Sequence, residues 1–117
     1  MKTCVVSLRL PSAVVADLEA IANYNRVSGA AVLDWFLCTS LSHSEVLRGL
    51  QDCQEHCDRK LDARIPITTL EPLRAATKDL GISITVYIRK LLYHSFVTKR
   101  LRYLQSEGRY TLAYHHD

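Results

Sequence analysis

Two short segments of the chain alternate between apolar and polar residues, which is the pattern of a β-strand with one buried face. They cover residues 4–10 and 60–65, and each is closed by a proline, Pro11 or Pro66, which cannot continue a hydrogen-bonded ladder. We therefore predict two strands. Their inward faces are formed by Val6, Leu8, Leu10, Leu61, Ala63 and Ile65.

A helix with one apolar face is predicted directly after the first strand. It runs from Ser12 to Tyr24, and its apolar stripe is formed by Val14, Leu18 and Ile21.

The corresponding helix after the second strand is expected to start near Thr68, because Thr68-x-x-Glu71 has the residues of a capping box. Pro72 is then expected in or near the first turn, where its missing N–H costs least.

One further helix is predicted behind each of two serines, Ser28 and Ser83, which are favourable N-cap residues. Gly81 suits a left-handed end of the preceding helix, and Arg26 stands at the corresponding place in the first half of the chain. The apolar stripes of the two helices are Leu33, Phe36, Leu37 and Leu41, and Ile88, Leu91, Leu92 and Phe96.

The strand-helix-helix pattern is therefore present twice, at a spacing of 55 residues. Between residues 8–41 and 63–96, seven of 34 positions are identical, and the apolar positions agree without a gap. A pattern shared over that length indicates two structural units of the same kind.

Helical structure is also predicted outside the two units. A connecting helix is expected over roughly 43–57, since Ser42-x-x-Glu45 is again a capping box. The last helix is expected to continue through Val97, Leu101 and Leu104 and to stop near Gly108. Residues 109–114 alternate and suit a short strand or a flexible arm.

The composition indicates a folded, soluble protein. Hydrophobic residues make up 48% of the 117 positions, and no apolar stretch approaches the length of a membrane span. No secretory signal is recognisable at the N-terminus, so we expect a cytoplasmic protein whose four cysteines are free thiols.

Charge is unevenly distributed over a net charge of +3. Residues 1–55 carry four Lys/Arg and six Asp/Glu, whereas residues 56–117 carry eleven Lys/Arg and six Asp/Glu. The excess of cations in the second half favours a phosphate-binding surface, although an ordinary solvated surface also explains it.

The pattern resembles the ribbon-helix-helix family, which includes the Arc, MetJ and CopG repressors. The residues that carry the resemblance are Leu-Arg-Leu-Pro at 8–11, Ala-Arg-Ile-Pro at 63–66, and Gly-Ile-Ser-Ile-Thr at 81–85 with the following Val-Tyr-Ile-Arg. The last of these is similar to the family's Gly-x-Ser-x-Ser turn. The tandem arrangement resembles TraY-like conjugation proteins.

The resemblance implies a mostly α-helical fold with a two-stranded antiparallel ribbon, in which the two units form a pseudo-dimer within one chain. One unit alone buries too little apolar surface to fold. The expected organisation is one domain over 1–117, with units at 4–41 and 60–97, a connecting helix within 42–59, and a helix extension and tail at 98–117.

The resemblance also implies binding of double-stranded DNA, with the ribbon in the major groove. The residues expected to contact bases are Val5, Ser7, Arg9, Lys60, Asp62 and Arg64. Those expected at phosphates are Lys2, Arg26, Ser28, Gly29, Ser83, Ile84, Lys99, Arg100 and Arg102. Asp62 and Val5 are unusual on such a face, so either the DNA site is asymmetric or one half does not contact bases.

No catalytic residue, metal site or cofactor is predicted. Cys53-x-x-His56-Cys57 offers three possible metal ligands, but its spacing differs from structural zinc sites, so we interpret Cys53 as buried and His56 as a surface residue. Cys38, Asp34 and His43 have the residue types of a thiol triad, which packing explains better.

Two classes of function follow. The first is a sequence-specific DNA-binding protein, either a transcriptional repressor or an accessory factor of plasmid transfer, which can also self-associate on adjacent sites or bind a protein partner. The second is a protein-interaction module on the same scaffold without DNA binding. Trp35 covers the seam between the units or contacts a partner, and the sequence does not decide between these roles.

Overall fold

The computed structural model describes residues 2–41, 44–97, 101–106 and 109–114, with the backbone alone at 46 and from 101 onward. These residues form strand β1, helices α1 and α2, a short 3₁₀ helix, strand β2, helices α3 and α4, and a hairpin of strands β3 and β4. The bounds are Thr3–Leu10 (β1), Ser12–Asn25 (α1), Gly29–Leu41 (α2), Ser44–Gly49 (3₁₀), Arg59–Pro66 (β2), Ile67–Leu80 (α3), Ile84–Phe96 (α4), Leu101–Ser106 (β3) and Arg109–Tyr114 (β4).

Strands β1 and β2 pair with each other in an antiparallel ribbon, as predicted. Their register runs from Thr3 opposite Pro66 to Leu10 opposite Arg59. The predicted inward faces are confirmed: Leu8, Leu10, Ala63 and Ile65 are buried, while Val6 and Leu61 are half-buried against the same core. The fold is mostly helical around this two-stranded sheet.

The hydrophobic core lies between the inner face of the ribbon and the four helices. Each of the four α-helices contributes to it, and a fully buried leucine or isoleucine side chain stabilises the fold by about 1.5–3 kcal/mol. The largest fully buried side chains are Leu10, Leu18, Leu33, Leu37, Leu47, Ile65, Leu70, Leu73, Tyr87, Ile88, Leu91 and Leu92.

The ends of the helices follow the predicted signals. The Ser28 hydroxyl accepts a hydrogen bond from the Ala31 N–H at 3.1 Å, and the Ser83 hydroxyl accepts one from the Val86 N–H at 3.1 Å. Gly81 ends α3 in the left-handed conformation at φ 70°, and Arg26 ends α1 in the same conformation at φ 57°. Helix α1 therefore ends in the same way as α3, without glycine.

The predicted capping box at Thr68 is wrong, because α3 begins one residue earlier. The Ile67 N–H donates to the Lys2 carbonyl at 3.1 Å, which extends the ribbon to the point where the helix starts. Pro66 is consequently the N-cap residue, with no side-chain capping bond. Pro72 lies six residues into the helix, where it removes the hydrogen bond to the carbonyl four residues before it.

The predicted connecting helix over 43–57 is also wrong. The 3₁₀ helix Ser44–Gly49 is followed by a segment without regular structure up to β2. Leu47 and Leu50 enter the core as an amphipathic helix would require, but the Asp52 carboxylate accepts a hydrogen bond from the Cys53 N–H. Such a local bond competes with helical hydrogen bonding, and the Gln51 carbonyl is bonded to His94 of α4 instead.

Helix α4 ends at Phe96, so the prediction that it continues through Val97, Leu101 and Leu104 is wrong. Residues 101–106 form β3, which pairs antiparallel with β4 from Leu101 opposite Tyr114 to Ser106 opposite Arg109. Periodicity does not separate a short apolar strand from the end of a helix. For 109–114, the strand alternative is the correct one.

Candidate nucleic-acid interface

The outward face of the ribbon brings together six side chains from two distant parts of the chain. The antiparallel register places Val5 opposite Arg64, Ser7 opposite Asp62, and Arg9 opposite Lys60. All six are exposed, because residues two apart on a strand point to the same side and the opposite side is the core. These are the six residues for which base contact is predicted.

Ser7 and Asp62 form the centre of this face. The Ser7 hydroxyl donates a hydrogen bond to the Asp62 carboxylate at 2.5 Å across the two strands. The bond joins the two side chains and gives the carboxylate one donor on the protein itself. The face as a whole carries three cations and this one carboxylate.

A depression of about 410 Å³ lies at the end of the ribbon marked by Arg9 and Lys60. Thr85 and Arg89 of α4 form its other wall, and Ser7 and Leu8 complete it. Sequence reasoning did not include Thr85 and Arg89 in the site. Their spacing of four on a helix, directly after the Ser83 cap, was the signal that both face the same way.

Arg89 is held by the connecting segment. Its Nε–H donates to the Asp52 carboxylate at 2.8 Å, and a second guanidinium N–H donates to the other carboxylate oxygen. The two side chains are only 20% and 29% exposed. Their hydrogen bonds lower the pKa of Asp52 and raise the pKa of Arg89, so both groups stay charged and the pair is neutral overall.

The residues predicted at phosphates are placed as follows. Ser28 and Ser83 are exposed at the first turns of α2 and α4, and Gly29 and Ile84 beside them are half-buried. Lys2 and Arg26 are exposed. Lys99 and Arg100 lie outside the described residues, and Arg102 lies in β3, where the structure describes only the backbone.

The other chemically interesting clusters do not assemble a site. Among the described residues, no group of three or more His, Cys, Asp and Glu side chains is placed to hold a metal ion. Cys53 is half-buried and His56 exposed, as interpreted from the sequence, and Cys57 is half-buried. All four cysteines are free.

Cys38 is not arranged as a nucleophile. Burial raises the pKa of its thiol, so the protonated and less reactive form is favoured. Its sulfur lies 3.4 Å from the Thr69 hydroxyl, which in turn donates to Asp34 at 2.7 Å. His43, the third residue type considered for a triad, lies outside the described residues. Trp35 is half-buried and packs against the core.

No described helix is both long enough and apolar enough to cross a membrane. Comparison of the chain with models of known families, with curated proteins and with solved structures finds no match. The resemblance to the ribbon-helix-helix family therefore stays a prediction that rests on the residues named above.

Proposed function

We propose that the chain is a tandem pair of ribbon-helix-helix units that binds double-stranded DNA through the outward face of its ribbon. The protein then acts as a transcriptional repressor or as an accessory factor of plasmid transfer. The observation that carries the proposal is the pairing of β1 with β2, which turns six mostly polar side chains to solvent and closes the opposite face over the core.

The tandem arrangement is supported by the bounds of the helices. α1 and α3 each have 14 residues, α2 and α4 each have 13, and the starts of each pair differ by the 55 residues of the repeat. The two left-handed helix ends, Arg26 and Gly81, have the same spacing.

The register of the ribbon supports a pseudo-two-fold axis. In an antiparallel pair of identical strands, one position lies opposite its own copy. Here Ser7 lies opposite Asp62, and these two residues are separated by the repeat spacing of 55. The same axis relates the other outward pairs, so that Val5 corresponds to Lys60 and Arg9 to Arg64.

The outward face fits the major groove in size and chemistry. A two-stranded ribbon is narrow enough to enter that groove, and its side chains then meet the edges of the bases. Arg9 and Arg64 suit guanine O6 and N7, Ser7 suits either a donor or an acceptor, and Asp62 accepts from cytosine N4. Val5, which is 54% exposed, suits a thymine methyl group.

Phosphate contacts are assigned to groups outside the six outward side chains of the ribbon. The first turns of α2 and α4 present backbone N–H groups near Ser28 and Ser83, and Lys2 and Arg26 add charge. Such contacts position the protein on the duplex, and most of the affinity and its dependence on salt come from them.

A mobility-shift titration tests this function. The full chain is expected to bind a labelled random-sequence duplex. If it makes four phosphate contacts, raising the salt concentration from 50 to 200 mM should weaken binding by roughly 100-fold. On duplexes selected by the wild-type chain, Arg9→Ala with Arg64→Ala is expected to abolish the preference over random DNA. Arg48→Ala with Lys78→Ala removes the same charge from exposed positions outside the ribbon and serves as the matched control.

A folded chain that does not bind duplex at low salt, or that keeps its sequence preference without both arginines, would contradict the proposal. The first of these results favours the second candidate function, a protein-interaction module. One observation speaks for that alternative: the Asp62 carboxylate, at the centre of the outward face, is repelled by phosphate groups.

A further inference from the structure

The two ends of the ribbon carry different side chains at positions that the 55-residue repeat makes equivalent. We call the group of Arg9, Lys60, Thr85 and Arg89 the basic end; these residues line one depression. The equivalent positions at the opposite end of the ribbon are Arg64, Val5, Ala30 and Asp34, which we call the mixed end.

The two ends differ in charge even after ion pairs are counted. At the basic end, Arg89 is neutralised by Asp52, so Arg9 and Lys60 leave two cations without an acidic partner in the depression. At the mixed end, Arg64 is the one cation of its group and Asp34 carries a carboxylate that accepts from Thr69. The groups therefore differ by about two charges.

The two ends also offer different chemistry to bases. Arg9 and Lys60 lie directly opposite each other and carry only donors, so together they suit neighbouring base pairs that present acceptors. In the major groove, the base edge with two acceptors is guanine. At the mixed end, Arg64 is opposite Val5, which has no polar atom in its side chain and suits the methyl group of thymine.

We infer that the protein binds a non-palindromic duplex, with a guanine-containing half-site under the basic end and a thymine-containing half-site under the mixed end. This inference rests on the proposed function, and it assigns a base preference to each end of the ribbon. A symmetric ribbon requires a palindrome because each half presents the same groups. Here four of the six outward positions break that symmetry, because the repeat makes Val5 equivalent to Lys60 and Ser7 equivalent to Asp62.

Selection of binding sites from a random duplex pool tests the inference. The wild-type chain is expected to enrich non-palindromic sites. Arg9→Ala and Arg64→Ala, made separately, change the same residue type at equivalent positions. We expect Arg9→Ala to reduce discrimination at guanine in one half of the selected site by roughly 10- to 100-fold, and Arg64→Ala to affect the other half.

The double variant Val5→Lys with Asp62→Ser provides a gain-of-symmetry test. It gives both strands the outward pattern Lys-x-Ser-x-Arg, so the selected sites are expected to become palindromic. The positions substituted in these tests are all exposed: Val5, Arg9, Asp62 and Arg64. Circular dichroism and thermal unfolding check that each variant keeps the fold.

The outcomes separate the two claims. Palindromic sites enriched by the wild-type chain, or equal effects of Arg9→Ala and Arg64→Ala on both half-sites, overturn the asymmetry while DNA binding stands. A folded wild-type chain that enriches no duplex overturns both the asymmetry and the proposed function.

Discussion

At the scale of single residues, Arg26 and Gly81 adopt the same backbone with different side chains. Both end a 14-residue helix in the left-handed region, at φ 57° and φ 70°. Glycine adopts that region freely, whereas a residue with a Cβ atom is strained there by about 1 kcal/mol or more. The end of α1 therefore contains a local strain that the end of α3 avoids.

Exchanging glycine at these two positions is expected to change stability in opposite directions. Gly81→Ala should lower the free energy of unfolding by about 1 kcal/mol, and Arg26→Gly should raise it by up to about 1 kcal/mol. A Cβ atom at Gly81 would meet nothing within 4 Å, so the effect there comes from the backbone alone. Urea unfolding measures both, and an unchanged midpoint for Gly81→Ala would contradict the assignment.

The Asp52–Arg89 pair makes stability depend on pH. Because the pKa of Asp52 is lowered in the folded protein, the pair stabilises the fold above the carboxyl's unfolded pKa of about 3.9. That contribution is lost as the pH falls through the folded pKa. Asp52→Asn should cost about 1–2 kcal/mol at pH 7, and the difference from wild type should shrink below pH 4.

Chemical unfolding at several pH values measures this difference. Glu45→Gln is the control, since Glu45 and Arg48 are exposed and 3.7 Å apart, and such surface pairs contribute little. A difference between Asp52→Asn and wild type that stays constant from pH 7 to pH 3 would show that the ion pair is not its cause.

At the scale of secondary-structure elements, the sequence predicts the features that depend on interactions between residues close together in the chain. Both ribbon strands, their inward faces, the first helix and the two serine caps follow from alternation, periodicity and capping. The structure of the connecting segment could not be predicted in this way. Asp52 and Gln51 form their hydrogen bonds with neighbouring backbone and with α4 rather than within a helix. Strand β3 could not be predicted either, because its apolar positions also fit the end of a helix, and its pairing with β4 does not follow from its own periodicity.

In the ribbon, the inward side chains should contribute much more to stability than the outward ones. Leu10→Ala removes a side chain that is 0% exposed and is expected to cost about 2–5 kcal/mol of unfolding free energy. Val5→Ala, on the same strand but facing outward, is the matched control and should change stability little. Equal losses for the two variants in denaturant unfolding would contradict the assignment of the two faces.

At the scale of the whole molecule, the candidate site joins parts of the chain that are far apart in sequence. The six outward residues were predictable, because each strand shows its own alternation. Thr85 and Arg89 were not predicted as part of the site, because their place beside Arg9 and Lys60 depends on how α4 lies relative to the ribbon. The asymmetry of the site was anticipated from Val5 and Asp62, but the difference between the two ends required the structure.

Because one chain supplies both strands, folding should not depend on protein concentration. The midpoint of thermal unfolding is expected to stay constant over a 100-fold dilution, with a single cooperative transition, since β1 and β2 share one core. A midpoint that falls on dilution would indicate that the folded unit needs a second copy of the chain.

The most direct test of the central claim is a nuclear magnetic resonance titration of the full, isotope-labelled chain with duplex DNA at low salt. The amide signals expected to shift most are those of the outward ribbon residues, with smaller changes at the first turns of α2 and α4. Those outward residues are Val5, Ser7, Arg9, Lys60, Asp62 and Arg64. Shifts confined to other surfaces, or no shifts from a folded protein, would contradict binding through the ribbon.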